Sequence, residues 1–396
     1  MEYDIAIIGS GIIGGALAYK LSQKYQLKVV VIDKEKKPNQ HQTGRNSGII
    51  HSGVYYPKNS LKSKNCINGY KQLIQFLEEN NITYKITGKL IAAANENEFS
   101  ELNRLFENAQ SVGLDVQYLT KKKIHKIDPN LKIPRGFYVE ETGLVDYSQV
   151  LNKLIDVSSD NSVYFTFGTY INEVEKNGNS YTLGTNRGSV QTKYVVNCAG
   201  LQCDRVYELL TGQNSPVRIL PFKGEYFEIS PDLYQSDIPV YPVPNPDFPF
   251  LGVHLTPMID GSLKVGPNAV LSFDREGYDG FEIKIADALD IVSNKAIYKL
   301  IKNYKATVLK EMLKQKSKSF FEKKVKKYWS RFNISEINGY SCGIRAQATE
   351  NGELLSDFRI ETFDRQVHVL NAPSPAATSC LAIADTIVER LNRLIK

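Results

Sequence analysis

Gly9, Gly11 and Gly14 form the spacing Gly-x-Gly-x-x-Gly, and Asp33 follows nineteen positions after the last of them. Those residue types at those intervals suit one task, the holding of a dinucleotide. Gly9 permits a tight turn. Gly11 leaves no side chain between backbone and phosphate, and Gly14 lets a helix pack closely on a strand. The helix that opens after Gly11 offers free N–H groups and the positive end of its dipole to a pyrophosphate. The Asp33 carboxylate is placed to accept hydrogen bonds from ribose hydroxyls. The competing reading is an ordinary strand–helix–strand start that binds nothing.

The elements required to position these residues are in register. Ile5-Ala6-Ile7-Ile8 reads as a strand, the stretch through Ala16, Leu17 and Leu21 as a helix, and Val29-Val30-Val31-Ile32 as a second strand ending on Asp33. Residues 34–60 read as loop. Helices are predicted over 61–80 and 96–112 and near 148–157, and two short strands over 83–94 broken at Gly88. A hairpin covers 181–183 and 189–196, and its second strand runs into Asn197-Cys198-Ala199-Gly200 and a helix from Asp204. Strands are predicted over 217–229 and 262–266. The proline-rich stretch 240–257 reads as irregular or edge structure, because proline cannot serve a central strand. Residues 281–331 read as mostly helical. The end repeats the opening pattern, with strand His368-Val369-Leu370, a small-residue turn and a helix from Ala376 to Ile395. The fold class is α/β, a Rossmann-like dinucleotide domain with an interleaved antiparallel-sheet (α+β) substrate domain. The expected division is 1–80, 145–215 and 340–396 for the first, and 81–144 and 216–339 for the second, with the basic helical segment 281–331.

At 396 residues the chain is too long for one compact core. Five scattered cysteines without a Cys-x-x-Cys pair argue against a zinc site or a disulfide framework, and no metal is expected. A reducing, cytoplasmic compartment fits them. The uncharged run from Ile5 to Tyr19 follows Glu2 and Asp4 and is studded with glycine, so it is neither a signal peptide nor a membrane span. Net charge is +6, but ten lysines and one arginine against Glu311 and Glu322 lie between 302 and 331. In that segment Phe321, Val325, Tyr328 and Trp329 share one helix face. One reading is a solvated helix with that face on the core. The other is a basic helix lying on anionic lipid at the inner face of the cell membrane. No recognisable nucleic-acid module accompanies the charge.

Longer segments carry a resemblance. They are His41 to Tyr56, Pro221 to Phe227, Pro249 to Thr256, Val265 to Val270, Gly343 to Gln347 and Asn371 to Thr378. Through them the chain resembles the FAD-dependent oxidoreductases of the D-amino-acid-oxidase superfamily, and within it the L-2-hydroxyglutarate oxidases and dehydrogenases. The resemblance implies an enzyme that oxidises a dicarboxylate 2-hydroxy acid and passes electrons to a quinone or oxygen. It implies FAD held by Gly9, Gly11, Ile13 and Gly14, by Asp33 and Lys34, by Thr43, Asn46, Ser47 and Gly48, by Ala199 and Gly200, and by Pro373, Ser374, Pro375, Ala376 and Thr378. Asp33 stands where Glu is commoner. Arg45 stands where the family often has His, and is left out of catalysis.

Oxidising a 2-hydroxy acid needs a base for the hydroxyl proton, cations for carboxylates, and positive charge or a dipole beside the flavin. Of five histidines, His125 and His368 read as structural, and His41 opens the cofactor loop. His51 and His254 lie in the resembling segments, and either serves as base. The preferred assignment gives His254 the proton and His51 a position beside the flavin. Arg345 is the carboxylate clamp, since guanidinium pairs bidentately with a carboxylate. Lys223 is a weaker candidate for the second carboxylate, with Tyr55, Tyr56 and Tyr226 as hydroxyl donors. Alternative substrates are an amine, an amino acid or glycerol 3-phosphate, and the alternative class is a flavin-binding redox module without turnover.

Overall fold

The computed structural model describes residues 2–244, 252–280, 282–303 and 318–395. Its first sheet is built on the opening strand Glu2–Ile8, which pairs in parallel with Val29–Ile32 on one side and with Gly188–Asn197 on the other. Val163–Thr166 extends it beyond Val29–Ile32, and Gln366–Asn371 runs parallel to the end of Gly188–Asn197. Ile5, Ala6 and Ile7 are all fully buried, as expected of parallel strands covered on both faces. Helix Ile12–Lys24 packs on this sheet beside helices Tyr147–Asp160 and Cys380–Ile395. The three strand–turn–helix units expected from the sequence therefore join one sheet.

The second sheet is largely antiparallel. Its spine is the pair Arg218–Ile229 and Ile337–Glu350, in register along almost their whole length. Leu263–Gly266, His254–Pro257, Val240–Pro242, Lys89–Ala93, Arg135–Val139 and Val116–Leu119 continue it in that order. A small third sheet of Ile49–Ile50, Gly143–Val145 and Tyr84–Ile86 lies outside both.

Three expectations change. Residues 340–350, placed with the dinucleotide domain, belong to the antiparallel sheet, because their backbone is paired throughout with Arg218–Ile229. His254–Pro257 is an interior strand between two partners rather than an edge, with Pro242 and Pro257 at strand ends where no ladder bond is lost. The last helix begins at Cys380, after a run of turns over 374–379 that includes a Ser379 N–H to Pro375 carbonyl bond. Of the two readings of the basic segment, the one that sets its apolar residues on the core holds: Phe321, Val325, Tyr328 and Trp329 are buried under the antiparallel sheet with Leu255 and Val265. Those residues are spent inside the protein and are closed to lipid. Residues 304–317 of the basic segment, and 245–251 of the proline-rich stretch, lie outside the described residues. Among the described residues no helix is long and apolar enough to cross a membrane.

Candidate active site

Strand alternation builds the site. Leu90, Val240, Leu255, Val265 and Phe227 occupy matched register positions and turn toward one apolar cluster. Side chains one position away point to the opposite face. Those positions are Lys89, Tyr241, His254 and Tyr226, and the same parity along Ile337–Glu350 adds Arg345. A cavity of about 340 Å³ opens against that face, with Tyr226, Tyr241, His254 and Arg345 in its wall. The opposite wall comes from the parallel sheet: Gly11, Ile12 and Ile13, the loop Thr43 to Ser47, Gly200, and Ala372 to Ala377. The cavity therefore joins the glycine turn to the antiparallel sheet.

The glycine turn fits a dinucleotide. Gly9 has φ +98°, and a Cβ there would lie 2.6 Å from the Cys198 carbonyl oxygen. A Cβ on Gly14 would lie 2.0 Å from the Gly9 carbonyl oxygen. These two glycines serve close packing. Gly11 differs: a Cβ there would meet only Thr43 Oγ1, at 3.6 Å, and would project into open cradle. The Ile12 N–H donates to Thr43 Oγ1 at 3.0 Å, which fastens the 43–48 loop to the helix start. Asn46 donates to the Thr43 carbonyl and accepts from the Gly48 N–H, folding that loop on itself.

Other expected cofactor residues stand behind the wall. Asp33 accepts from the Ser10 N–H and hydroxyl at 2.7 and 2.6 Å and from the Glu35 N–H, so it braces the glycine turn. Lys34 pairs with Glu35 and Glu276, and His41 with Glu35 and the Tyr278 hydroxyl. Thr378 Oγ1 accepts from the His51 N–H and bonds the Tyr147 hydroxyl. Gly9, Gly14, Gly48 and Ala199 shape the turns without lining the cavity.

His254 is 4% exposed, and among the described residues neither ring nitrogen has a hydrogen-bond partner. Burial, then the charges of Lys89 and His51, hold its pKa well below the ordinary value. His51 is pushed down to about 3, first by burial and then by Lys89, and its Nε2 lies 3.4 Å from Ser374 Oγ. Both imidazoles are neutral, the form able to accept a proton. Arg345 is half-buried near Tyr56 and Tyr226, and burial lowers its pKa against the opposing effect of the two phenols. Tyr226 is raised by burial and stays protonated. Lys223 does not meet its expectation. It borders the cavity, but strand parity carries its ammonium to the other face, where it donates to the carbonyls of Gly277, Tyr278 and Gly280. His368 is buried against Tyr207 and Asn197, the structural role expected of it.

Lys89 and Tyr241 carry the surprise. Tyr241 stacks on His254 and is sandwiched between prolines in sequence, a position that drew no attention. Lys89 is fully buried at the head of a strand whose five residues are all buried. A lysine opening such a run was the available signal.

Fold and cavity together define a dinucleotide-binding protein with a small-molecule chamber closed against the cofactor cradle. The family profile described as FAD dependent oxidoreductase matches residues 4–390. The chain is 38% identical over 393 residues, 98% of each chain, to an L-2-hydroxyglutarate dehydrogenase of Indibacter alkaliphilus. It is 36% identical to the L-2-hydroxyglutarate dehydrogenase of Escherichia coli K12, covering 99% of this chain and 94% of that one. Its fold is shared with the L-alpha-glycerophosphate oxidase of Mycoplasma pneumoniae, at TM-score 0.80 and 24% identity over 99% and 95% of the two chains. The chain belongs to the FAD dependent oxidoreductase family, and FAD is its cofactor.

Proposed function

We propose that this enzyme oxidises L-2-hydroxyglutarate to 2-oxoglutarate, with the parallel-sheet unit holding the cofactor and the antiparallel sheet presenting the substrate. The observation that carries the chemistry is the presence, in one cavity wall, of a half-buried guanidinium and a neutral imidazole that has no hydrogen-bond partner among the described residues. The names of relatives 36–38% identical along nearly the whole chain support the substrate.

FAD, when bound, supplies the acceptor for the hydride of C2. Gly11, the helix start at Ile12, Thr43 and Asn46 hold its pyrophosphate end, and the turn Pro373 to Ala376 faces its reactive end. Arg345 binds a substrate carboxylate bidentately, assisted by the Tyr226 and Tyr56 hydroxyls. His254 takes the hydroxyl proton, and its low intrinsic basicity is offset once an anionic substrate fills the chamber beside it. His51 fixes the wall next to Ser374. The test is anaerobic addition of each enantiomer of 2-hydroxyglutarate to the yellow holoenzyme. The L form bleaches it within the mixing time of turnover. No bleaching by L, with bleaching by an amino acid or glycerol 3-phosphate, overturns the substrate.

Electrons leave to a quinone or to oxygen. Contact with an anionic membrane, which would favour quinone, is supported by helix Ile285–Ser293. Its Asp287 and Asp290 face inward to Arg205 and Arg275, leaving Ile285, Leu289 and Val292 exposed between Lys284 and Lys295. An apolar stripe edged with lysine suits an interfacial helix. Co-sedimentation with anionic vesicles at low salt, lost in Leu289→Ser, is the expected result, and no binding by wild type ends the idea.

A further inference from the structure

Lys89 is fully buried, and its ammonium has neither a hydrogen bond nor, among the described residues, a carboxylate within ion-pair distance. It lies 4.8 Å from the Tyr55 ring centroid and 5.0 Å from that of Tyr241. Tyr241 lies in turn against His254 at the cavity wall. Two phenol rings thus stand between a buried cation and the chamber. Burial without a counter-ion is costly, and cation–π contacts repay only part of that cost. In a medium of low dielectric, the uncompensated charge acts over several ångströms. Among the described residues no carboxylate balances it, so an anion entering the chamber does.

We propose that Lys89 is a specificity-determining residue, whose unpaired ammonium acts through the Tyr55 and Tyr241 rings to favour a doubly negative occupant of the chamber over a singly negative one of the same length. It rests on the reading that the chamber takes a dicarboxylate, and it adds a cation that touches neither substrate nor cofactor. Arg345 satisfies one carboxylate, and Lys223, consumed by three carbonyls, cannot satisfy the other. Lys89 supplies the missing positive field.

Glutarate and pentanoate separate the two charges without turnover, because neither carries the oxidisable hydroxyl. Their binding is read from the flavin spectrum of holoenzyme matched for flavin content. In Lys89→Met, glutarate binding weakens about tenfold or more while pentanoate changes less than about threefold, and Lys89→Arg restores glutarate binding. Equal weakening of both ligands, or no change in either, overturns the proposal. Should Lys89→Met fail to hold flavin, wild type decides. Burial pushes Lys89 down to about 7, whereas its titratable neighbours lie elsewhere: Cys66 is held up at about 12, Tyr241 at about 12, Tyr55 well above its ordinary value, His51 at about 3 and His254 well below its ordinary value. Glutarate affinity therefore falls from about pH 6 to about pH 8 as the ammonium is lost, with pentanoate nearly flat. A flat glutarate profile overturns the proposal. Failure of wild type to bleach with L-2-hydroxyglutarate would remove the substrate while leaving this charge preference measurable.

Discussion

The imidazole of His254 lies flat on the phenol ring of Tyr241, with centroids 3.6 Å apart and planes 11° from parallel. The stack fixes the ring while leaving both nitrogens without partners. A buried polar group is ordinarily satisfied, so an orphaned imidazole in a cavity wall is held for something that arrives. His254→Asn is expected to lower kcat by about 10²- to 10⁴-fold, the range of general-base catalysis. Flavin content and melting temperature stay near wild type, because no protein hydrogen bond is lost. Steady-state rates at saturating substrate check it, and activity within about threefold of wild type would hand the proton to another group.

Arg345 lies on the long strand Ile337–Glu350, separated from the His254 strand by two others, and is paired in register with Phe222. Its guanidinium is the only arginine side chain of the cavity wall apart from Arg45, which instead donates to the Gln40 carbonyl and covers the Tyr278 ring. Arg345→Ala is expected to raise KM by about 100-fold, in keeping with the loss of a buried charge-assisted pair. Flavin retention changes far less. Parallel titrations of substrate and FAD read the two effects separately, and equal losses in both would make Arg345 a structural residue.

The glycine turn was legible in sequence because its requirements are local: Gly9, Gly11, Gly14 and Asp33 each act within one strand–helix–strand unit. His254 and Arg345 were legible only through resemblance, since strand parity across five partners brings them together and no short-range pattern encodes it. Lys223 misled for the same reason. Its neighbour Phe222 faces the cavity, and a shift of one residue reverses the side chain. Lys89 went unseen because a lysine at a strand head ordinarily reaches solvent, and only the packing of Tyr55 and Tyr241 over it reveals otherwise. The burial of Phe321, Val325, Tyr328 and Trp329 was read correctly, but not as one helix face: the helix ends at Lys326 and Trp329 bridges to Leu131, a contact that spacing does not encode.

Lys223 offers the converse test. Three carbonyls depend on its ammonium, at 2.8 to 3.1 Å. Lys223→Met leaves them without that donor and is expected to cost about 2–4 kcal/mol of stability. Substrate KM remains within about threefold once flavin content is matched, because the ammonium is engaged by those carbonyls rather than offered to the chamber. Thermal melting beside KM checks the split. A large rise in KM at unchanged stability would return Lys223 to the substrate.

Gly11→Ala and Gly14→Ala distinguish ligand space from packing space. The Gly14 Cβ would lie 2.0 Å from a backbone oxygen, a clash that no side-chain motion relieves. That variant is expected to melt well below wild type even as apoprotein. The Gly11 Cβ meets nothing closer than 3.6 Å in the protein. Apo Gly11→Ala should therefore fold normally, with FAD affinity reduced about tenfold or more by a methyl group in the cradle. Apoprotein melts and FAD titrations separate the cases, and unchanged FAD affinity in Gly11→Ala would place the pyrophosphate elsewhere.

Three histidines with depressed pKa values, two of them buried, bear on the acid limit of the fold. Burial lowers His51 to about 3 and His368 to about 4, and His254 lies well below its ordinary value. Between the unfolded value near 6.5 and each depressed native value, the unfolded chain binds more protons than the native one. Stability therefore falls as pH drops through that window and is constant, with respect to these groups, above it. Each histidine contributes a slope of up to about 1.4 kcal/mol per pH unit. His368 lies away from the chamber, against Tyr207, so its share is separable from catalysis. His368→Gln is expected to flatten the decline between about pH 6.5 and about pH 4 while lowering stability at neutral pH. Denaturant melts of both proteins across that range supply the measurement, and identical slopes would mean that His368 is already charged in the native state.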